Sequence, residues 1–226
     1  MCGRFALTGD IDFYRGYYGV DEVTSESLDQ SWNVAPTDES YVVAEKDDKR
    51  LLGKMPWGLI PYWAEDDRTI HINARIETVA TKPAFKRALS RHRCLIPADG
   101  FYEWEPKEEG RTPHWVYRAD GHPMSFAGIW AAWKDPATEQ WTRRFSILTT
   151  KAEGPIATIH DRMPVILDDD VWDAWLDRDL EDPRAALDLI QLLDPDLIME
   201  HAVSSQVNSV RNNSPDLTTP TKETLF

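Results

Sequence analysis

The two longest strand signals in the chain, Met124–Trp133 and Trp141–Thr150, are separated only by the polar stretch Lys134–Gln140. Runs rich in aromatic and β-branched residues across so short a connection read as one long hairpin. His114–Ala119 and Arg93–Pro97 read as further strands, the latter buried. Tyr41–Glu45 and Leu51–Met55 make a second pair across the charged turn Lys46–Arg50. Residues 5–30 read as a short strand, a helix near Ile11–Tyr18 and a polar loop. A second helix is expected from Pro83 to about Ser90, with Thr81 at the N-cap and Pro83 just inside. Asp168–Leu176 and Pro183–Leu193 read as acidic surface helices that turn Val171, Trp172, Trp175, Leu187, Ile190 and Leu193 inward. Trp130, Trp133 and Trp141 are expected to pack in the core or on a sheet face. No repeat or linker divides the 226 residues, so one domain over 1–226 is expected, with a loose tail at 216–226.

Composition narrows the functional classes. No apolar run is long enough to span a bilayer, and Asp10 and Asp12 interrupt any signal-peptide pattern, so a cytoplasmic location is expected. The chain has two cysteines, Cys2 and Cys94, which is no disulfide framework, and no His/Cys cluster has zinc-ligand spacing. The net charge of −14 argues by itself against a nucleic-acid partner. The distribution points the other way. Arg68, Arg75, Lys82, Lys86, Arg87, Arg91 and Arg93 face a single acid, Glu77, whereas Ile166–Glu200 holds twelve acids against two arginines. The acidic runs, such as Asp168-Asp169-Asp170, suit a salt-adapted surface or a merely acidic one.

Six stretches carry chemistry beyond folding needs. Met1-Cys2-Gly3-Arg4-Phe5 opens the chain. Removal of Met1, which the small second side chain favours, would give Cys2 a free α-amine beside its thiol. Such a pair can capture an aldehyde, first as a Schiff base at the amine, then as a thiazolidine when sulfur closes onto the imine carbon. With reference pKa values of about 7.7–8.0 and about 8.5, both groups need neighbours to move protons at neutral pH. An arbitrary cysteine after a start codon would read the same. Ser31-Trp32-Asn33-Val34-Ala35-Pro36-Thr37 reads as a loop whose Asn caps local backbone. Met55–Trp63 is rich in Trp and Pro, either a rigid packed loop or a stacking platform for bases. Ala98–Glu105 leads from a turn into alternating aromatics and acids. As a strand it puts Glu103 and Glu105 on one face, where one glutamate could act as acid and base. Thr158–Pro164 contains the dense cluster His160-Asp161-Arg162. Val203–Pro215, with Ser, Asn and one Arg, suits phosphate hydrogen bonding.

Six motifs occur in order: Met-Cys-Gly-Arg-Phe, Trp-Asn-Val-Ala-Pro-Thr, Trp-Gly-Leu-Ile-Pro, Asn-Ala-Arg-x-Glu, Cys-Leu-Ile-Pro-Ala-Asp-Gly-Phe-Tyr-Glu-Trp and His-Asp-Arg-Met-Pro. Together, over residues 2 to about 215, they resemble the SRAP family of abasic-site processing proteins. The resemblance implies an α+β domain on a curved, barrel-like antiparallel sheet. It implies covalent cross-linking to abasic sites in single-stranded DNA through Cys2, as part of the DNA damage response. Asn73, Glu103 and His160 match the family's other catalytic positions, and Arg4, Asn33, Trp57, Arg75 and Arg162 its DNA-binding positions. No metal or organic cofactor is implied, and a monomer is expected. Strand-nicking lyase activity and thiol autopeptidase removal of Met1 are the accompanying activities. Two other readings remain open on the residues alone. One is an N-terminal-nucleophile amidohydrolase of the glutamine amidotransferase type, which also begins Met-Cys-Gly, although its substrate-loop motifs are missing. The other is a non-catalytic single-strand-binding module.

Overall fold

A computed structural model describes residues 2–221. In chain order, β1 (Phe5–Leu7) leads into α1 (Ile11–Tyr17), β2 (Glu22–Val23) and β3 (Ser31–Val34). The hairpin β4 (Glu39–Lys46) and β5 (Lys49–Pro56) follows. β6 (Asn73–Arg75) runs directly into α2 (Ile76–Val79), and then come α3 (Pro83–Arg91), β7 (Arg93–Ala98), β8 (Gly100–Pro106) and β9 (Arg111–Arg118). β10 (Met124–Lys134) and β11 (Trp141–Lys151) form the long hairpin. β12 (Arg162–Pro164), α4 (Trp172–Leu176), α5 (Pro183–Asp188) and β13 (Ile198–Ala202) complete the set.

The strands form two sheets. One is antiparallel throughout, in the order β13-β9-β8-β1-β3. The other runs β12-β11-β10-β7-β4-β5-β2, with β6 also pairing to β11. The single barrel-like antiparallel sheet expected from the sequence is therefore corrected. Neither sheet closes on itself, and two pairings, β2 with β5 and β6 with β11, are parallel. The α+β class stands. A common core lies between the sheets, where Phe5 and Phe101 of the first meet Phe126 of the second at centroid distances of 6.1 and 5.9 Å.

The chain changes sheets at Asp99. Ala98 pairs with Met124 in one sheet, and Gly100 pairs with Tyr117 in the other. The Asp99 carboxylate fixes this corner by accepting from the Thr8 N–H at 2.6 Å and the Tyr14 hydroxyl at 2.9 Å, which ties it to the end of β1 and to α1. Gly100 is required by space. A Cβ there would lie 2.3 Å from the Val116 carbonyl oxygen and 2.6 Å from the Trp115 ring.

Several local expectations change. Ser31–Val34 is a strand beside β1 rather than a loop. Thr81 does not cap α3; its hydroxyl donates to the Thr78 carbonyl, and Lys82 occupies the N-cap with no side-chain bond. The helix expected over Pro183–Leu193 ends at Asp188, and Leu192 bridges to Leu167 as extended chain. Trp141 is 70% exposed rather than packed. The start of the expected loose tail is held in place: Leu217 is buried with Val203 and Val207 against Trp115 and Tyr102. Residues 222–226 of that tail lie outside the described residues, as does Met1.

Gly100→Ala should destabilise the fold by about 1–3 kcal/mol, because its methyl meets backbone rather than a flexible side chain. Urea denaturation checks this, and an unchanged midpoint would contradict it.

Candidate active site at Cys2

β1 pairs with β3 on one side and β8 on the other. Its Phe5 ring packs on Trp57 at 5.2 Å as well as on Phe126. The Tyr102 N–H donates to the Arg4 carbonyl at 2.9 Å, which extends this pairing beyond the strand and lays the chain start along β8. The period of two then sends Phe101 and Glu103 to one face of β8 and Tyr102 to the other. Glu103 is 2% exposed and Cys2 has no exposed surface.

Four segments converge. The Asn73 side-chain amide, from the first residue of β6, donates to the Cys2 carbonyl at 2.8 Å. Glu103 Oε1 lies 3.8 Å from His160 Nδ1. The same Nδ1 is 2.9 Å from the Arg162 N–H and 2.9 Å from Asp161 Oδ1. These two neighbours favour opposite states of the ring. An unprotonated Nδ1 accepts from the Arg162 N–H, whereas a protonated one donates to the Asp161 carboxylate.

Burial pushes the Cys2 thiol well above its ordinary range, and the nearby Glu103 carboxylate pushes it the same way. The thiol is thus held protonated at neutral pH. Among the described residues no group of three or more His, Cys, Asp or Glu could hold a metal.

The residues expected to contact DNA divide by accessibility. Arg75 is exposed. Arg4 is half-buried: its Nη1 donates to Asn33 Oδ1 at 2.8 Å and to the Val207 carbonyl at 2.9 Å, and its guanidinium lies 6.0 Å from the Trp104 ring. Asn33 is 3% exposed, and its amide also donates to the Ser209 and Asn212 carbonyls at 3.0 and 2.7 Å. Its place is under the loop after β13. Trp57 has no exposed surface; its Nε1 donates to the Ile72 carbonyl at 2.8 Å and its ring stacks on Phe145. The ring of Trp57 is thus packed between the core aromatics Phe5 and Phe145. Tyr62 and Trp63, in the same aromatic stretch, are each 55% exposed. Arg162 is buried and donates to both Glu77 carboxylate oxygens, at 2.5 and 3.0 Å, and to the Thr149 carbonyl at 2.7 Å. Of the basic segment, Arg93 is also spent inside, on the Trp175, Leu89, Ser90 and Leu180 carbonyls. The sequence reading missed the part of Glu77; its only signal was its place at the end of the Asn-Ala-Arg-x-Glu motif.

The fold and site define a class: an α+β domain with a buried cysteine at the start of the chain, its carbonyl held by an asparagine, and a glutamate–histidine pair close by. Residues 1–210 match the family model described as SOS response associated peptidase (SRAP), and the chain belongs to that family. It is 39% identical over 223 residues to the abasic site processing protein YoqW of Bacillus subtilis, covering 96% of this chain and 98% of that one. It is 30% identical to the abasic site processing protein YedK of Escherichia coli (97% and 100% covered). It is 33% identical over 197 residues to the abasic site processing protein HMCES of Gallus gallus (76% and 58% covered). A solved protein from Bacteroides thetaiotaomicron shares the fold, with a TM-score of 0.85 at 24% identity over 98% of this chain and all of that one. Among the described residues no helix is long and apolar enough to cross a membrane.

At pH 8, iodoacetamide should alkylate Cys2 at least about ten-fold more slowly than free cysteine, since only the thiolate reacts. Glu103→Gln should speed the reaction, because it removes one of the two causes that raise the thiol. Peptide mapping by mass spectrometry reads both, and labelling at the free-cysteine rate would contradict the assignment.

Proposed function

We propose that this chain captures abasic sites in single-stranded DNA by forming a thiazolidine with Cys2. The observation that carries the reading is the convergence of Asn73, Glu103 and His160 on the one cysteine that can present both an amine and a thiol. The names of the relatives as abasic site processing proteins support it.

Hydrolysis of the Met1–Cys2 bond releases the α-amine. The abasic deoxyribose is mainly a closed hemiacetal, and His160 opens it by moving a proton between the C1 hydroxyl and the ring oxygen. The amine adds to the exposed aldehyde, giving a carbinolamine. Glu103 accepts the proton that the amine loses and returns it to the departing hydroxyl, so one water leaves and an imine forms. The Cys2 sulfur then bonds to the imine carbon while its proton goes to nitrogen. The net change is loss of one water. A thiol held protonated suits this order, because it leaves the first attack to the amine and completes the ring by adding S–H across C=N. Asn73 fixes the Cys2 carbonyl and with it the direction of the amine. The same imine can instead undergo β-elimination, which nicks the strand.

A single strand can be splayed to present its sugar, whereas a duplex hides it. Arg75 and the open edge of Arg4 are the cations that flanking phosphates can reach, and Tyr62 and Trp63 offer faces on which bases stack without sequence readout. Asn33 and Trp57 serve that surface from beneath, by holding Arg4 and the aromatic loop.

Met1-free protein mixed with a single-stranded oligonucleotide carrying one abasic site should give a heat-stable shifted band on a denaturing gel. Cys2→Ala should give none, and Glu103→Gln should slow capture by about 10²–10⁴-fold. Intact DNA with no shifted band, or an equal shift with Cys2→Ala, would overturn the proposal.

A further inference from the structure

We propose that Glu77 is a positioning residue for capture, and that it acts by locking Arg162 between the segments that carry Asn73 and His160. The inference rests on the capture reading and adds to it a residue that touches neither DNA nor Cys2.

Thr149 of β11 is the centre of the arrangement. On one side it pairs with Arg75 of β6, and on the other with Pro164 of β12. Asn73 opens β6, and Glu77 sits in the first turn of the helix that β6 runs into. His160 lies two residues before the first residue of β12. The Arg162 side chain crosses from β12 over Thr149, donating to its carbonyl at 2.7 Å, and ends on the Glu77 carboxylate with two bonds of 2.5 and 3.0 Å. The backbone of Arg162 holds His160, through its N–H to Nδ1 at 2.9 Å. One continuous path therefore runs from the strand of Asn73, through Glu77 and both ends of Arg162, to the His160 ring.

A two-bond guanidinium–carboxylate pair fixes angle as well as distance. That is what the site needs, because misplacing a reacting group by about 1 Å can cost on the order of 10²-fold in rate. The lock also has a consequence for DNA. The two Nη atoms that would grip a phosphate are those already given to Glu77 and Thr149. Arg162 therefore organises the site from within.

The test compares wild-type protein with Glu77→Gln and Glu77→Ala, with thermal melting as the check on folding. Three readouts are needed: affinity for an intact single strand over a salt series, the capture rate at saturating abasic oligonucleotide, and the NMR signals of the Asn73 side-chain amide and His160 imidazole in the free protein. The expected result is DNA affinity and salt slope unchanged within about two-fold, capture slowed by about ten-fold or more, and both signals displaced. Glu77→Gln, which keeps the side chain's size and one acceptor, should fall between wild type and Glu77→Ala; if Glu77→Ala does not fold, it carries the test. Two results would overturn the inference. One is that both NMR signals stay at their wild-type positions in a folded variant. The other is that DNA binding tightens and its salt slope steepens by about 0.7, which would mean that Glu77 had been withholding Arg162 from a phosphate. Should wild-type protein form no covalent product, the capture reading fails, while the two NMR signals still decide whether the lock holds Asn73 and His160.

Discussion

The structure depends on the placement of β1 between β8 and β3. Only three residues long, this strand brings the chain start inside the domain, so that Cys2 is buried and every group able to act on it must come from elsewhere. Phe5 anchors the strand between Trp57 and Phe126, and the Asp99 carboxylate binds its far end. Asn73 then holds the Cys2 carbonyl with one bond. Under the capture reading, an N-terminal nucleophile on a loose segment would lose the orientation that makes an intramolecular-like attack fast. The fold supplies that orientation by treating the segment as part of a sheet.

Charge is arranged on the same logic. The acidic total looks hostile to DNA, yet many of the acids have structural partners. Asp10, Asp182 and Asp194 each cap a helix or helical turn by accepting backbone N–H bonds, as does Asp168 in front of α4. Asp120 and Asp169 hold the buried Arg118, and Glu77 holds Arg162. The arginines divide likewise. Arg93, Arg118 and Arg162 act inside the domain, while Arg75, Lys82, Lys86, Arg87 and Arg91 face solvent. Net charge counted along the sequence therefore misstates the field that a DNA strand would meet.

The long strands were legible because their pattern is strong over many residues: the β10–β11 and β4–β5 hairpins fall within a few residues of their expected ends. β3 was not, since Ser31–Val34 is half polar and its pairing partner β1 is remote and short. Sheet closure was not legible either, because which strands become neighbours depends on the corner at Asp99 and on the close approach at Gly100, and both look like an ordinary turn in sequence. At the site, the reading brought forward Cys2, Asn73, Glu103 and His160, which the fold gathers. It could not separate residues that touch a ligand from those that hold them. Asn33, Trp57 and Arg162 carry the chemistry of a DNA contact, and nothing in the sequence shows that all three are buried. Glu77 stayed obscure because its partner is remote in sequence and the pairing appears only when β6 and β12 flank the same strand.

The most direct test of the account is to digest the covalent product with single-stranded abasic DNA and locate the sugar remnant by tandem mass spectrometry. The account predicts a remnant joined to both nitrogen and sulfur of Cys2, on a chain lacking Met1, with the mass of the aldehyde less one water and no change on borohydride treatment. A remnant on a lysine or on Cys94, or an adduct that survives only after borohydride reduction, would contradict thiazolidine formation at the N-terminal cysteine.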